Sequence, residues 1–387
     1  MAANTLTGLI PVIYAALDVV SRELVGLIMS VSRDATAEGA AVDQTVRSPV
    51  VPAITPVAIV YGNAPVDEGE QTISYVDMSI SEAYQSPIKW NGEEQLSLRN
   101  MKDRVLQDQF EQGMRAICNM IETDLAELYV GASRAYGTAG TTPFASDLSP
   151  AAQLKKILDD NGAPAGDRHI VIDTSAGAAM RTLSNLNTQY AAGTDETLRR
   201  GTLLDLMGFA IRESGQIQSH TKGTMTGADC TAIEPVGETT IACDGSDSGT
   251  VLAGDIVTRG VEGGSDADSN KYVVYSGSTL TGNASGNMIV AEPGLKVATT
   301  VSDEWTIGGN YTANLAFSRN AIHLAARTPI MPEGGDGADD VMNVTDPVSG
   351  LTFQFALYRL HRMVKIEIGM CWGCAVIKPE HLAILLG

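Results

Sequence analysis

The sequence is poor in the residues that most often carry chemistry. Five cysteines (118, 230, 243, 371 and 374) in 387 residues are too few and too scattered for a disulfide framework, and the odd count agrees with free thiols in a reducing compartment. Basic residues are also scarce: 26 Lys and Arg face 46 Asp and Glu, a formal charge of -20. Such a surface repels phosphate and anionic lipid, which excludes a sequence reader of nucleic acid. No G-x-S-x-G elbow, G-x-G-x-x-G turn or phosphate loop occurs, so serine-hydrolase and nucleotide-binding chemistry have no anchor. No Lys or Arg precedes Arg22, so the basic start of a secretory signal is missing. Long apolar runs are absent too: Leu9 to Met29 is interrupted by Pro11, Asp18, Arg22 and Glu23, whereas a membrane span needs roughly 20 nearly uncharged residues. That stretch is predicted to be an amphipathic helix.

What is present supports folded cores. Hydrophobic residues make up 44% of the chain, and its length predicts two or three packed units. After the first helix comes "SRDATAEGAAVDQT", too polar to bury much alone, and residues 1–46 read as an arm. The next text, 47–92, is β-like. "SPVVPAITPVAIVYG" and "TISYVDMSISEAY" flank a turn-rich "NAPVDEGEQ", and Val76, Met78 and Ile80 alternate at period two, which predicts a long hairpin over Pro56 to Tyr84.

From Glu93 to Gly131, apolar residues recur at steps of three, four and five, from Leu98 and Met101 through Phe110 and Ile117 to Leu128. They predict a single helix of about 38 residues, roughly 57 Å long, bracing more than one unit. A small α/β unit follows over 151–215, with "RHIVID" as its buried strand and "TSAGAAMRTL" as a helix capped by Ser or Thr. Between His220 and Thr312 the chain turns Gly-rich with short strands, predicting an all-β insertion, a small barrel. The α/β material then resumes with "NLAFSRNAIHLAA", expected as a short helix, and ends in three apolar strand-like runs.

Three stretches invite a chemical reading. "MCWGCAVIKPEH" places Cys371, Cys374 and His381 near His361, the elements of a zinc site or a dithiol centre. Zinc knuckles need a tight turn and redox dithiols a helix N-terminus, but this text is apolar and β-branched on both sides. Buried thiols packed as small hydrophobes are the favoured reading. "DGSDSGTVLAGD", Asp244 to Asp255, has an EF-hand's length and central Gly, but Ser246 and Ser248 replace two carboxylates, which favours a turn between strands. "PEGGDGADD" reads as a solvated loop. No metal, cofactor or catalytic residue is assigned.

The order of arm, projecting hairpin, over-long helix, α/β unit and final sheet resembles the Hong Kong 97-like fold of tailed-phage major capsid proteins. Colinear stretches sharpen this. "LTGLIPVIYAALDVVSRELVGLI", "WNGEEQ", "TAGTTPF", "LDDNGAP", "SGQIQSHTKGT", "GTVLAGDIVT", "NKYVV", "DPVSGL" and "IKPEHLAILLG" are similar to the gene-5-type coat proteins of short-tailed lambdoid phages.

The resemblance implies an α+β chain with an N-terminal arm (1–46), an extended loop (47–92), a spine helix in the peripheral domain (93–137), an axial domain in two parts (138–219 and 313–350), an inserted β-domain (220–312) and peripheral C-terminal strands (351–387). It implies a structural, non-enzymatic protein whose first partner is itself, as hexamers and pentamers of an icosahedral head. The resemblance further implies scaffolding and portal proteins as partners, with decoration proteins as an optional addition. It also implies a head that encloses double-stranded DNA without reading its sequence, involves no membrane, and forms in the host cytoplasm to end as the virion.

Two candidate contact sets follow. The hairpin's Val57, Ile59, Val60, Tyr61, Ile73 and Tyr75 need a neighbour to cover them, and a second subunit would do so. The apolar face of the first helix, with Asp18 and Glu23 on its polar side, is expected to serve assembly or scaffold binding. A secreted or surface adhesive β-domain protein and an encapsulin-like compartment shell are the alternatives.

Overall fold

The computed structural model describes residues 6–23, 26–50, 59, 61, 73–98, 101–187, 203, 205–245, 249–260, 268–280, 285–301, 303–333 and 336–387. Val57 and Val60 lie outside them. The fold is α+β, built on two large sheets and one bracing helix.

The first sheet has six strands. Ser32–Ala40 runs parallel to Ile322–Pro329, which pairs with the 14-residue strand Met363–Val376. That strand also pairs with Thr352–Leu360 and, along its other edge, with Glu82–Asn91; Asp340–Thr345 closes the far side. The helix Lys102–Glu127 lies across it. Its buried stripe, Leu106, Phe110, Met114, Ile117, Ile121 and Leu125, steps by three and four along one face. Phe110 meets Phe355 edge to face at 5.7 Å, and truncating such a buried ring costs about 3–5 kcal/mol. A Cβ at Gly113 would sit 2.9 Å from Ser86 Oγ and 3.0 Å from Ile368 Cδ1, so glycine lets the helix lie close on the sheet.

The second sheet has twelve strands. One end holds Arg134–Tyr136, Leu382–Leu386, Tyr311–Ser318, Arg168–Ile172 and Phe209–Glu213 as neighbours, with the two-residue strand Ser219–His220 pairing onto Tyr311–Ser318. At the other end, Ile256–Arg259, Glu304–Ile307, Gly227–Cys230, Thr240–Gly245, Ser285–Val290 and Lys271–Ser276 follow in order. The first of these also pairs with the last. The all-β insertion is therefore a closed six-stranded barrel around its own core, including Trp305, Tyr272, Ile241 and Met288. It shares a strand with the main sheet, since Lys271 and Tyr272 pair with Ala135 and Arg134.

Several expectations need correction. The single helix over Glu93 to Gly131 is instead Gly92–Leu98 and then Lys102–Glu127, about 39 Å long at 1.5 Å per residue. Met101 is 62% exposed and the buried stripe starts only at Leu106, so the spacing that joined the two was not one face. A capping box starts the short helix: Asn91 N–H donates to Glu94 Oε2 and Glu94 N–H to Asn91 Oδ1.

The hairpin pairs Thr45–Val50 with Ser74–Ser79, and Tyr84 belongs to a separate strand of the first sheet. "SRDATAEGA" is not a loose arm but the edge strand of that sheet, and the first helix buries Ile13, Ala16, Leu17 and Val20 within the subunit. "NLAFSRNAIHLAA" forms parts of two strands, Tyr311–Ser318 and Ile322–Pro329, around a short 3-10 turn. Both strands are buried on two faces, and an apolar run of that kind carries no periodicity to separate it from a helix. Asp173, and not Ser or Thr, caps Thr174–Thr182, accepting the Ala176 and Ser175 N–H groups. The last strand, Leu382–Leu386, sits in the second sheet.

Candidate assembly surface

The hairpin is fixed to the body at "CWGC", which lies inside the strand Met363–Val376. Alternation sends its residues to opposite faces. Trp372 points to the long helix, where its Nε1 donates to Asp124 Oδ2 at 2.6 Å and its ring stacks on Tyr84 at 5.5 Å. Cys371 turns to the other face and is buried with Ala40 and Ile80, the residues that frame the hairpin's root. Asp43 N–H donates to Ile80 O, and Ile80 N–H to Gln44 O, tying the two hairpin roots together. Beside them Gly373 lies under Ser79 so closely that no side chain fits.

The thiols are poor reagents in this setting. Burial raises the Cys371 pKa, and burial with the nearby carboxylates of Asp124, Glu127 and Glu82 pushes Cys374 up to about 12. Both therefore stay protonated near neutral pH. No group of three metal-binding side chains occurs among the described residues. Asp255, the last residue of the EF-hand-like stretch, is wholly buried and accepts from His220 Nε2, Leu252 N–H and Gly223 N–H. His220 Nδ1 meets Tyr129 Oη at 2.8 Å, linking the barrel's root to the end of the long helix.

Beyond its root the hairpin has one face toward the body and one toward solvent. Met78 is buried and Val76 half-buried on the inner face. On the outer face Arg47 donates to Asp77 at 2.8 Å and lies 5.3 Å over the Tyr75 ring. The Arg47 hydrogen bond holds the Asp77 carboxyl below its ordinary range. Tyr75 and Ile73 are about half exposed (56% and 50%), and Ile59 and Tyr61 are almost fully so (83% and 95%). Arg47 covers part of Tyr75, and the other three are left exposed among the described residues. Asp18 is exposed on the first helix, whose apolar face is spent inside the subunit.

A buried carboxylate missed by sequence reasoning joins the N-terminal segment to the body. Glu122, on the long helix, accepts Leu27 N–H at 3.0 Å, Ile28 N–H at 2.8 Å and Ser214 Oγ–H at 2.7 Å. Its signal was present in the text: an acid four residues after Cys118, beside Ile121, within the helix's apolar stripe.

No protein-family profile matches the chain, and no curated protein does. Among solved structures the chain is similar to Mycobacterium phage Che8 (13% identity, 88% of this chain and 84% of that one, TM-score 0.45). It is likewise similar to the capsid of Cyanophage P-SCSP1u (10% identity, 92% and 86%, TM-score 0.47). A third is the virus-like particle from Pyrococcus furiosus (9% identity, 97% and 98%, TM-score 0.42). No helix among the described residues is long and apolar enough to cross a membrane.

Proposed function

We propose that this chain is a structural shell subunit of the Hong Kong 97-like kind, the major capsid protein of a tailed phage, of the gene-5 type that its colinear sequence stretches resemble. The observation that carries the reading is the hairpin: it is anchored at Ala40, Ile80, Cys371 and Gly373, and among the described residues Ile73 and Tyr75 at its paired strands, with Ile59 and Tyr61 between those strands in sequence, are large apolar side chains left exposed. Exposed apolar side chains of this kind fit a contact with a second copy. The paired sheets, the bracing helix and the inserted barrel complete a tile. The subunit's role is to assemble, not to catalyse.

The same reading assigns hexamers and pentamers, scaffolding, portal and decoration partners, enclosure of double-stranded DNA, assembly in the host cytoplasm and a final place in the virion. A net charge of -20 suits a wall that must not grip packaged DNA. Asp18 and Glu23 stay proposed as scaffold contacts through charge alone.

The test replaces residues 61–74 by a Gly-Ser turn and follows particle yield by sedimentation together with the melting curve of unassembled subunit. Loss of particles with an unchanged subunit transition is expected. Normal particles from the trimmed protein would defeat the reading.

A further inference from the structure

Where the hairpin, the end of the long helix and the barrel meet, a groove of about 650 Å³ opens. Its floor is apolar, formed by Val76, Leu128, Val130, Tyr275, Ile289 and Val376. Tyr275 and Ile289 stand out from the barrel wall at 58% and 37% exposure. Glu127 and Glu292 stand at the rim, both exposed, and among the described lining residues there is no Lys, Arg or His. Among the described residues no ion pair engages either carboxylate. The nearest cations are Lys378, between the lining residues Ile377 and Pro379, and Lys296, which lines the neighbouring pocket on the side of Glu292. The Cys374 thiol, also in the lining, has its pKa raised first by burial and then by the carboxylates of Asp124, Glu127 and Glu82.

An apolar trough with an acidic rim selects its occupant by chemistry. Nucleic acid and anionic lipid are repelled. A second copy of this chain could cover the floor, but with 26 Lys and Arg against 46 Asp and Glu it is poor in the cationic side chains the rim calls for. A segment with apolar side chains on one face and Lys or Arg at its margins satisfies both floor and rim. We propose that this groove docks a cationic amphipathic segment of a partner protein, its basic side chains meeting Glu127 and Glu292 while its apolar side chains cover Tyr275 and Ile289. The proposal goes beyond the shell reading and does not depend on it, because the groove is complete within one subunit.

The experiment uses unassembled full-length subunit and, as probe, a fluorescein-labelled helical peptide of lysine and leucine with the leucines on one face. Anisotropy is read for the parent protein, for Glu127→Gln with Glu292→Gln, for Tyr275→Ser with Ile289→Ser, and for a control pair, Glu93→Gln with Glu304→Gln, that removes the same charge elsewhere. All the substituted side chains are exposed, so matched melting curves are expected. Each groove pair should weaken binding about tenfold, the Gln pair with a reduced salt dependence, and the control should not. Hydrogen exchange should slow at 289–292 and 374–377 when the peptide binds. Unchanged affinity in the groove variants, or equal weakening in the control pair, would overturn the proposal. So would protection of those segments in concentrated protein without peptide, which would assign the groove to a second copy.

Discussion

A Cβ placed on Gly373 would lie 2.1 Å from the Ser79 carbonyl oxygen. The root of the hairpin therefore rests on the backbone of the strand below, at a distance only glycine permits. The intervening contact is backbone on backbone, so no side-chain rearrangement can relieve a substitution.

Gly373→Ala should force the hairpin root away from the sheet at a cost of about 1–3 kcal/mol, the range for overpacking. Urea midpoints of the unassembled subunit report the cost. Faster proteolysis within residues 51–72, with the rest of the subunit as resistant as before, would place the disturbance at the hairpin. An unshifted midpoint would mean that the root is not held where the contact puts it.

Glu122→Ala should cost about 2–4 kcal/mol, because two buried N–H groups, Leu27 and Ile28, lose their acceptor together. Glu122→Gln keeps one carbonyl oxygen and should cost less. The check is again denaturant unfolding, with the order Ala worse than Gln as the diagnostic result.

Cys371→Ser with Cys374→Ser should leave assembly intact and lower stability modestly, since both thiols pack and neither reacts. In the parent protein Cys374, with a pKa pushed up to about 12, should label with a disulfide reagent far more slowly at neutral pH than a free thiol does. Rapid labelling of the folded subunit, or stoichiometric zinc in purified protein, would contradict this.

Burial lowers the pKa of His169, His323 and His381 from the ordinary value near 6.5. A depressed folded pKa means the unfolded chain binds the proton first. The contribution of these residues is therefore full above about pH 6.5 and is lost as pH falls below it. Urea midpoints should decline from pH 7.5 to pH 5.5, a window above the titration of most carboxylates. His169→Gln, which removes one of the three groups, should flatten the decline.

Deleting Thr221 to Asn310 should leave a folded core of reduced stability. His220 pairs directly with Tyr311, and Lys222 N–H donates to Asn310 Oδ1 at 3.0 Å, so the cut ends are already neighbours. The penalty comes from the strand partner that Arg134 and Ala135 lose and from Asp255 leaving His220. Far-UV circular dichroism should keep the helical signal of Lys102–Glu127 while the melting point drops; loss of that signal would show that the barrel is needed for folding.

How much of this was readable in the text depended on where the determining contacts lie. The stripe from Leu106 to Leu125 announces its helix because the pattern is local, and the Gly-rich run after His220 announces short strands for the same reason. The break before Lys102 was not readable, since exposed Met101 has the same letter as a buried one. Ala-rich "SRDATAEGA" becomes a strand only because Ile322–Pro329 offers it an edge, 291 residues away at the Ser32–His323 pairing, a partner no local pattern contains. Within the candidate surface, Ile59 and Tyr61 stand in the apolar run "VAIVYG", and Ile73 and Tyr75 in the alternating text that follows, so both pairs were visible as apolar letters though their exposure was not. The roles of Gly373 and Glu122 were not, because each is defined by a backbone that folds in from elsewhere.

The strand Lys271–Ser276 belongs at once to the barrel and, through Arg134–Tyr136, to the body, and Arg134 is itself tied to Asn270, Asn161 and the Ile157 carbonyl. An insert attached by its two chain ends alone could be traded between lineages as a cassette. This one cannot be exchanged so freely: a replacement arriving by recombination must also bring a strand that fits the unmoved edge at Arg134–Tyr136, and a side chain that takes the place of Asn270. Surviving crossovers should therefore carry compensating changes far upstream of the crossover itself, near the end of the long helix, in a stretch that a comparison of inserts alone would never inspect.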